Sequence, residues 1–180
     1  MLVGCGVAPQ GLPTEAPAVR AGAETEATRP ACAMDDDTCR IDRLGAVRLD
    51  WLAEGLALEA LEAKLGAPAT REGPSEEGAT GEWVTRVAWP DQGVEVLLSG
   101  PQESAPQTVR NIWLRAPSTL ATDRGIRLGS TADEARAAYA GTLDPRAGEA
   151  SIVAGSVYGG VIFAVEGGRV VGIFVGPAAE

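Results

Sequence analysis

The sequence predicts an α+β fold, in which two helix-plus-antiparallel-meander repeats form one sheet with helices on one face. The segment that begins at Gly55 recurs 74 positions later at Gly129. After each of these segments, the spacing of apolar residues changes from the helical period of about 3.6 to the alternation of strands. The pattern Val-x-x-Ile, followed by two large apolar residues, closes both halves at 109–114 and 170–175. We therefore expect one repeat over residues 44–118 and a second over residues 119–180.

A short amphipathic helix is predicted at the start of each repeat. The apolar positions with i, i+3, i+7 spacing are Leu58, Leu61 and Leu65 in the first repeat and Ala132, Ala135 and Tyr139 in the second. Thr131 and Glu134 have the spacing of a capping box, in which each side chain accepts a hydrogen bond from the backbone N–H of the other residue. Gly66 and Gly141 are C-terminal stop signals for the two helices.

Three strands are predicted to follow each helix. The alternating segments are residues 82–89, 93–98 and 108–115 in the first repeat and residues 152–158, 161–165 and 170–175 in the second. Residues 90–92, Pro-Asp-Gln, separate the first two strands, and Gly167-Gly168 is a hairpin signal between the last two. Each repeat is therefore expected to be a helix followed by an antiparallel meander.

The composition argues against nucleic-acid binding and against catalysis. The 180-residue chain has a net charge of −10, with 25 acidic and 15 basic residues, so it would repel a phosphate backbone. It contains no histidine, the commonest general base and metal ligand. No serine lies in a G-x-S-x-G motif, and adjacent carboxylates such as Glu76 and Glu77 do not share a helix face. We expect no enzymatic activity, no cofactor and no metal site.

Residues 1–5 carry a targeting pattern. Leu2-Val3-Gly4-Cys5 resembles the lipobox of bacterial lipoproteins, in which a cysteine becomes the lipidated first residue of the mature protein. A working signal peptide has about 7–15 apolar residues before its cleavage site, so we expect the true start to lie upstream of Met1. The resemblance implies lipid attachment at Cys5, and Gly6 in the next position implies sorting to the outer membrane. The alternative is a cytosolic protein that begins in this way by chance.

The segment between this pattern and the first repeat is predicted to be a tether and a lead-in. Residues 6–31 are rich in Ala, Pro and Glu, which predicts a disordered stretch that reaches roughly 25–30 Å. In residues 32–43, Cys32 and Cys39 flank three aspartates at 35–37. In an oxidising compartment this spacing favours a small disulfide loop. A zinc pair and a calcium-binding turn are the alternatives, although the usual partner ligands of both are missing.

The two predicted repeats also resemble known bacterial proteins. The residues concerned are Gly55, Leu58-Glu59 and Leu65-Gly66-Ala67-Pro68 in the first repeat, and Gly129, Asp133-Glu134, Gly167-Gly168-Arg169-Val170 and Ile173 in the second. Over roughly residues 44–176 they are similar to the outer-membrane assembly lipoproteins of the small-protein-A type. They are also similar to the β-lactamase inhibitor protein family, which has two such units in tandem. Both resemblances imply a non-catalytic protein that binds another protein.

Alternation within the strands predicts an open sheet face centred on Trp113. The residues expected toward the helices in the first strand are Trp83, Thr85, Val87 and Trp89. Arg86 then lies on the opposite, solvated side. In the third strand, a buried Ile112 would place Trp113 and Asn111 on that side as well, close to Glu95. An aromatic anchor with polar neighbours is typical of an interface hot spot. The alternative is that all four Trp residues fill the core or its margin.

These patterns predict the class of function and the location. We expect a lipoprotein of the cell envelope, located at the outer membrane and facing the periplasm or the cell surface. The expected partner is another envelope protein, bound through the open face, while the membrane is contacted only through the lipid anchor. The alternative function is inhibition of a secreted hydrolase, as in the β-lactamase inhibitor family. That family binds through an aromatic-lined sheet. This chain departs from it because its aromatic residues are sparse, with 2 Phe, 2 Tyr and 4 Trp.

Overall fold

Alternating apolar residues build a large antiparallel sheet in the computed structural model, which describes residue 1 and residues 31–178. The helices are α1 (Asp37–Leu44), α2 (Leu58–Leu65) and α3 (Ala132–Ala138). The strands are β1 (Arg48–Leu49), β2 (Leu52–Ala53), β3 (Thr70–Glu76), β4 (Trp83–Trp89), β5 (Val94–Gly100), β6 (Thr108–Leu114), β7 (Ser151–Ser156), β8 (Gly159–Glu166) and β9 (Arg169–Val175). Strands β3 to β9 form one sheet in the order β3-β4-β5-β6-β9-β8-β7, and β1 pairs with β2 in a small second sheet. The predicted α+β class is confirmed.

The core lies against one face of the large sheet, here called the helix face. Two cross-strand rows occupy it: Val87, Val96, Ile112, Val175, Val161 and Ala154, followed by Trp89, Val94, Leu114, Ile173, Phe163 and Ile152. Every side chain in these rows is at most 3% exposed, and they form one cluster with the buried residues of α2 and α3. Burial of each large aliphatic side chain contributes about 1.5–3 kcal/mol. The two rows therefore provide the apolar surface on which the buried faces of the helices pack.

The residues that precede α2 and α3 make equivalent backbone hydrogen bonds to a strand. Before α2, Gly55 N–H donates to the Val109 carbonyl, and Val109 N–H donates to the Leu56 carbonyl, both at 2.8 Å. Before α3, Gly129 N–H donates to the Val170 carbonyl at 2.8 Å, and Val170 N–H donates to Ser130 at 2.9 Å. Each helix is thus preceded by a short extended segment that pairs with the strand closing the following meander.

Strand β3 was not predicted, so the first half contains four strands of the large sheet instead of three. All seven of its residues are exposed, and it pairs only with β4. It carries Pro74, and its register shifts between Glu72 and Ser75. An exposed strand needs no apolar alternation, so the sequence gives no periodic signal for it. Proline, charges and an irregular register are common at free sheet edges, where they disfavour pairing with other chains.

Helix α1 was also not predicted, because its sequence is mainly polar. Asp36 accepts a hydrogen bond from the Cys39 N–H at 2.8 Å and so caps the helix. The predicted bond between Cys32 and Cys39 is present, with their Cα atoms 5.9 Å apart. The disulfide therefore closes the turn that leads into α1.

A buried arginine fastens α1 to the edge of the sheet. Arg40 is 1% exposed, and its guanidinium donates to the carbonyls of Gly155 in β7, at 3.2 Å, and of Ala33, at 2.9 Å. It also pairs with Asp37, which pairs in turn with Arg146. A buried charge is tolerated only when it is paired and hydrogen-bonded, and these contacts meet that requirement. The lead-in is therefore part of the folded domain.

Candidate interaction surface

A third cross-strand row lies between the two core rows but on the opposite face of the sheet, here called the open face. Its members are Ala88, Glu95, Trp113, Phe174, Ile162 and Val153, from β4, β5, β6, β9, β8 and β7. All are partly exposed except Val153, which is 6% exposed. Alternation places these residues there because their neighbours on each strand belong to the core. The open face thus carries a continuous row with three large apolar side chains at its centre.

Trp113 lies at the middle of this row, and its ring has contacts on two strands. The ring centroids of Trp113 and Phe174 are 5.1 Å apart with the planes tilted by 53°, a favourable aromatic geometry. The Arg86 guanidinium carbon lies 4.9 Å from the Trp113 ring centroid, within the range of a cation–π contact. Arg86 also pairs with Glu95, the residue opposite Trp113 in the register. The predicted neighbours Arg86, Glu95 and Trp113 are therefore together on this face.

Two depressions flank the Trp113 ring. One, of about 480 Å³, extends over Leu97, Asn111, Ile162 and Phe174. The other, of about 180 Å³, lies toward the end of β6 and is lined by Ala88, Pro90 and Arg115, among others. Trp113 lines both of them, so a bound segment that fills either depression would contact its ring.

Asn111 lies on the open face, as predicted, but it is more enclosed than expected. It is 2% exposed, and its Nδ2 donates to the Pro177 carbonyl at 2.7 Å. Its Oδ1 accepts from Arg110 Nε at 3.0 Å. The segment after β9 continues past β6 and is fastened to β8, because Gly176 N–H donates to the Gly160 carbonyl at 3.0 Å. Asn111 therefore holds this C-terminal segment in place, and little of its amide is available to a partner.

A second arginine on this face organises the acidic side chains at the rim. Arg110 donates to both carboxylate oxygens of Glu77, at 2.6 and 2.9 Å, and to Glu82 at 3.3 Å. Planar bidentate contacts of this kind fix the arginine in one orientation. Sequence reasoning missed Arg110, because a bulge between Leu97 and Leu98 inserts it beside Asn111. It also missed Phe174 and Ile162, although alternation in the last two strands was a sufficient signal for both.

The remaining predicted residues have separate positions. Trp83, expected in the core, is only partly buried at the start of β4, where its carbonyl accepts from Gln107 Nε2 at 2.8 Å. Thr85, Val87 and Trp89 are buried, as predicted. Cys5 lies outside the described residues.

Near α1, hydrogen bonds from Arg146 lower the pKa of Asp144 below its usual range.

No group of three or more acidic, cysteine or histidine side chains within residues 31–178 could hold a metal ion. No helix found there is long and apolar enough to cross a membrane. Comparison of the chain with models of protein families, with curated proteins and with solved structures finds no match.

Proposed function

We propose that this protein is an envelope lipoprotein that binds another envelope protein through the open face and performs no catalysis. The observation that carries the proposal is the row of Trp113, Phe174 and Ile162, with Arg86 stacked on the Trp113 ring. Aromatic and arginine side chains dominate the energetics of protein interfaces, and they act best at the centre of a patch with a polar rim. Large apolar side chains that lie together on a solvated sheet face are typical of such a patch.

The charges at the rim indicate the chemistry of the partner. The acidic side chains are Glu72, Glu77, Glu82 and Glu95, and the basic ones are Arg86, Arg110 and Arg115. Arg86 and Arg110 are engaged by these carboxylates, and one negative charge remains in excess. The whole chain has the same sign, with a net charge of −10. We therefore infer a partner that presents an apolar side chain flanked by lysine or arginine, with association that weakens as salt is raised.

The envelope location is supported by features outside the open face. Leu2-Val3-Gly4-Cys5 resembles a lipobox, and residues 6–31 have the composition of a tether. The disulfide between Cys32 and Cys39 supports export, because disulfides persist mainly in oxidising compartments. In this proposal Cys5 carries the lipid, and the tether separates the folded domain from the membrane.

The proposal includes a finer organisation, in which the chain consists of two related units. The paired hydrogen bonds that precede α2 and α3 support this, since each unit would begin with the same extended segment and helix. The last strands of the two meanders, β6 and β9, pair with each other near the middle of the sheet. Trp113 and Phe174 lie opposite each other in that pairing. The binding surface would thus be centred on the junction of the two units.

Selective capture tests the open face. We expect the protein, immobilised through a tag on the N-terminal side of residues 6–31, to retain an envelope protein from native extract, and Trp113→Ala to lose it. Tyr158→Ala is the matched control, because Tyr158 is an aromatic residue that is 62% exposed in the β7–β8 turn, away from the row. The retained protein should elute with salt. Equal recovery by all three proteins would contradict the open face as the binding site.

The identity of the captured protein separates this function from the alternative. An integral or assembly protein of the envelope would support the proposal. A single secreted hydrolase, inhibited by the wild-type protein and not by Trp113→Ala, would instead support the inhibitor function.

Fatty-acid labelling tests the lipid anchor. With a signal segment placed upstream of Met1, cells grown with radioactive fatty acid should label the wild-type protein and not Cys5→Ser. Label that persists in Cys5→Ser would overturn the lipid assignment without affecting the test of the open face.

A further inference from the structure

The charges on the open face are divided unevenly between the two ends of β6. Near the start of β6, Arg110 is engaged by Glu77 and Glu82. Glu72 in β3 lies level with this end through the pairing of β3, β4, β5 and β6. Three carboxylates therefore accompany one guanidinium here, and we call this part of the surface the acidic end.

The other end of β6 has the opposite charge. Arg115 directly follows β6, and alternation places its side chain on the same face as Trp113. It is exposed, and within residues 31–178 its guanidinium has neither an ion pair nor a hydrogen bond. Between the two ends, Arg86 and Glu95 neutralise each other. Arg115 is therefore an unpaired positive charge, and we call its surroundings the basic end.

The smaller of the two depressions beside Trp113 lies at the basic end. Its volume is about 180 Å³, and a cavity of roughly 150 Å³ accommodates a benzene ring. Pro90, Trp113, Arg115 and Ala116 line it, and each is partly or fully exposed, so their side chains are accessible from it. The acidic residue of the wall, Glu95, is already paired. The depression therefore fits one apolar side chain and lies next to a positive charge that attracts a carboxylate.

We propose that the partner segment bound by the open face carries charges of both signs and lies along β6 in one orientation. This inference rests on the proposed function, since it concerns the same surface. A lysine or arginine of the partner would contact Glu77 and Glu82, and an aspartate or glutamate would pair with Arg115. A large apolar side chain between them would fill the smaller depression. A segment with charges of one sign only would match one end of the surface and be repelled by the other.

The length of β6 sets the spacing of these charges. Arg110 and Arg115 are five positions apart, which corresponds to roughly 16 Å at about 3.3 Å per residue of strand. Trp113 lies two positions before Arg115. An extended partner segment therefore needs a basic residue about three positions from its apolar anchor and an acidic residue about two positions beyond that anchor.

Titration with a synthetic peptide, followed by ¹⁵N NMR of the full chain, tests the inference. The probe is acetyl-Lys-Gly-Ser-Phe-Gly-Asp-amide, whose ends are uncharged. We expect saturable shifts of the Trp113, Ile162 and Phe174 amides, with a dissociation constant of about 1 mM or lower. Replacing the peptide's aspartate by asparagine, or its lysine by glutamine, should weaken binding about two- to fivefold in each case. Absence of saturable shifts on the open face, or equal binding of all three peptides, would overturn the inference.

Variants of the protein identify which charges meet. Arg115→Gln should weaken binding of the probe about two- to fivefold and should bind the asparagine peptide as the wild-type protein does. Glu82→Gln should have the same relation to the glutamine peptide. Arg127→Gln is the matched control, because Arg127 is also exposed but lies before α3 and lines neither depression. Additive effects of Arg115→Gln and the asparagine peptide would contradict the contact with Arg115.

The capture test separates a failure of this inference from a failure of the proposed function. Arg115→Gln should reduce recovery of the partner, and Trp113→Ala should abolish it. Recovery that is lost in Trp113→Ala and unchanged in Arg115→Gln would contradict the orientation while the open face remains the binding site. Full recovery by both variants would contradict the open face itself.

Discussion

Trp89 and Trp113 lie in adjacent rows of one sheet and have opposite surroundings. Trp89 is on the helix face, 3% exposed, and its Nε1 donates to the Gly66 carbonyl at the end of α2, at 2.9 Å. Trp113 is on the open face, partly exposed, with Arg86 and Phe174 as its ring neighbours. One ring therefore joins a strand to a helix, while the other is left for contact with something outside the domain.

Residue type alone therefore does not assign a tryptophan to a role in this protein. The position of each ring is set by strand alternation, which places Leu114 and Ile112 in the core on either side of Trp113. Trp89 has its polar N–H satisfied inside the domain, as buried tryptophans normally do.

Trp89→Ala should have the largest effect on stability. It removes a buried ring and leaves the Gly66 carbonyl without its donor, so we expect the free energy of unfolding to fall by about 3–5 kcal/mol. Urea unfolding followed by far-ultraviolet circular dichroism measures it. A loss below about 1.5 kcal/mol would show that this ring is not part of the core.

Asn111→Ala should have an intermediate effect, although Asn111 lies on the open face. The substitution removes the partly buried hydrogen bond to the Pro177 carbonyl and the one from Arg110 Nε, so we expect a loss of about 1–3 kcal/mol. The amides near the C-terminus should also exchange hydrogen faster, because Asn111 holds the segment after β9. Unchanged exchange at Ala178 would contradict the anchoring role of this side chain.

Trp113→Ala should have a smaller effect on stability than either change. The ring is partly exposed, and its aromatic contact with Phe174 contributes about 0.5–1.5 kcal/mol beyond area burial. We therefore expect a loss of about 1–2 kcal/mol in unfolding, with partner binding weakened by about 2 kcal/mol or more. Paired urea curves for Trp113→Ala and Trp89→Ala provide the check. Equal large losses would show that both faces are core and that the open face is not a docking surface.

The alternation of apolar and polar residues in the sequence was sufficient to predict which residues of β4 and β6 lie on each face of the sheet. It placed Val87 and Trp89 inside, Arg86 outside, and Trp113 on the open face beside Glu95, as the structure has them. The helices α2 and α3 and the capping box of α3 were also readable, since their signals lie within a few residues of one another. Local periodicity was therefore sufficient to predict most strands of the large sheet, and capping residues helped to predict the start of α3.

Features that depend on non-local contacts could not be predicted in this way. Strand β3 is held by hydrogen bonds to β4 and buries no alternating face, so it carries no period. Helix α1 depends on Arg40 reaching the Gly155 carbonyl, 115 positions away. The bulge that brings Arg110 beside Asn111 arises from the register between β5 and β6. Each of these features depends on contacts between residues that are distant in the sequence, and these contacts cannot be predicted from local patterns.

The pair formed by Arg86 and Glu95 should have the smallest effect, and it is the finest test of how the open face is organised. The Arg86 side chain is 45% exposed, and surface ion pairs contribute about 0.2–1 kcal/mol. Because Glu95 lies opposite Trp113 in the register, it can hold the guanidinium over the ring, which adds a cation–π contact of about 0.5–1 kcal/mol. A double-mutant cycle with Arg86→Gln and Glu95→Gln measures the coupling in the free energy of unfolding.

The corresponding cycle for Arg136 and Asp133 on α3 is the control, because Arg136 is as exposed as Arg86 and makes no cation–π contact within residues 31–178, although Asp133 is more exposed than Glu95. Both couplings should shrink in about 1 M salt, where the Debye length is about 3 Å. The coupling that remains for Arg86 and Glu95 should exceed that of the control, since contact with the ring is less sensitive to screening. Equal residual couplings would mean that Glu95 does not hold Arg86 over the Trp113 ring.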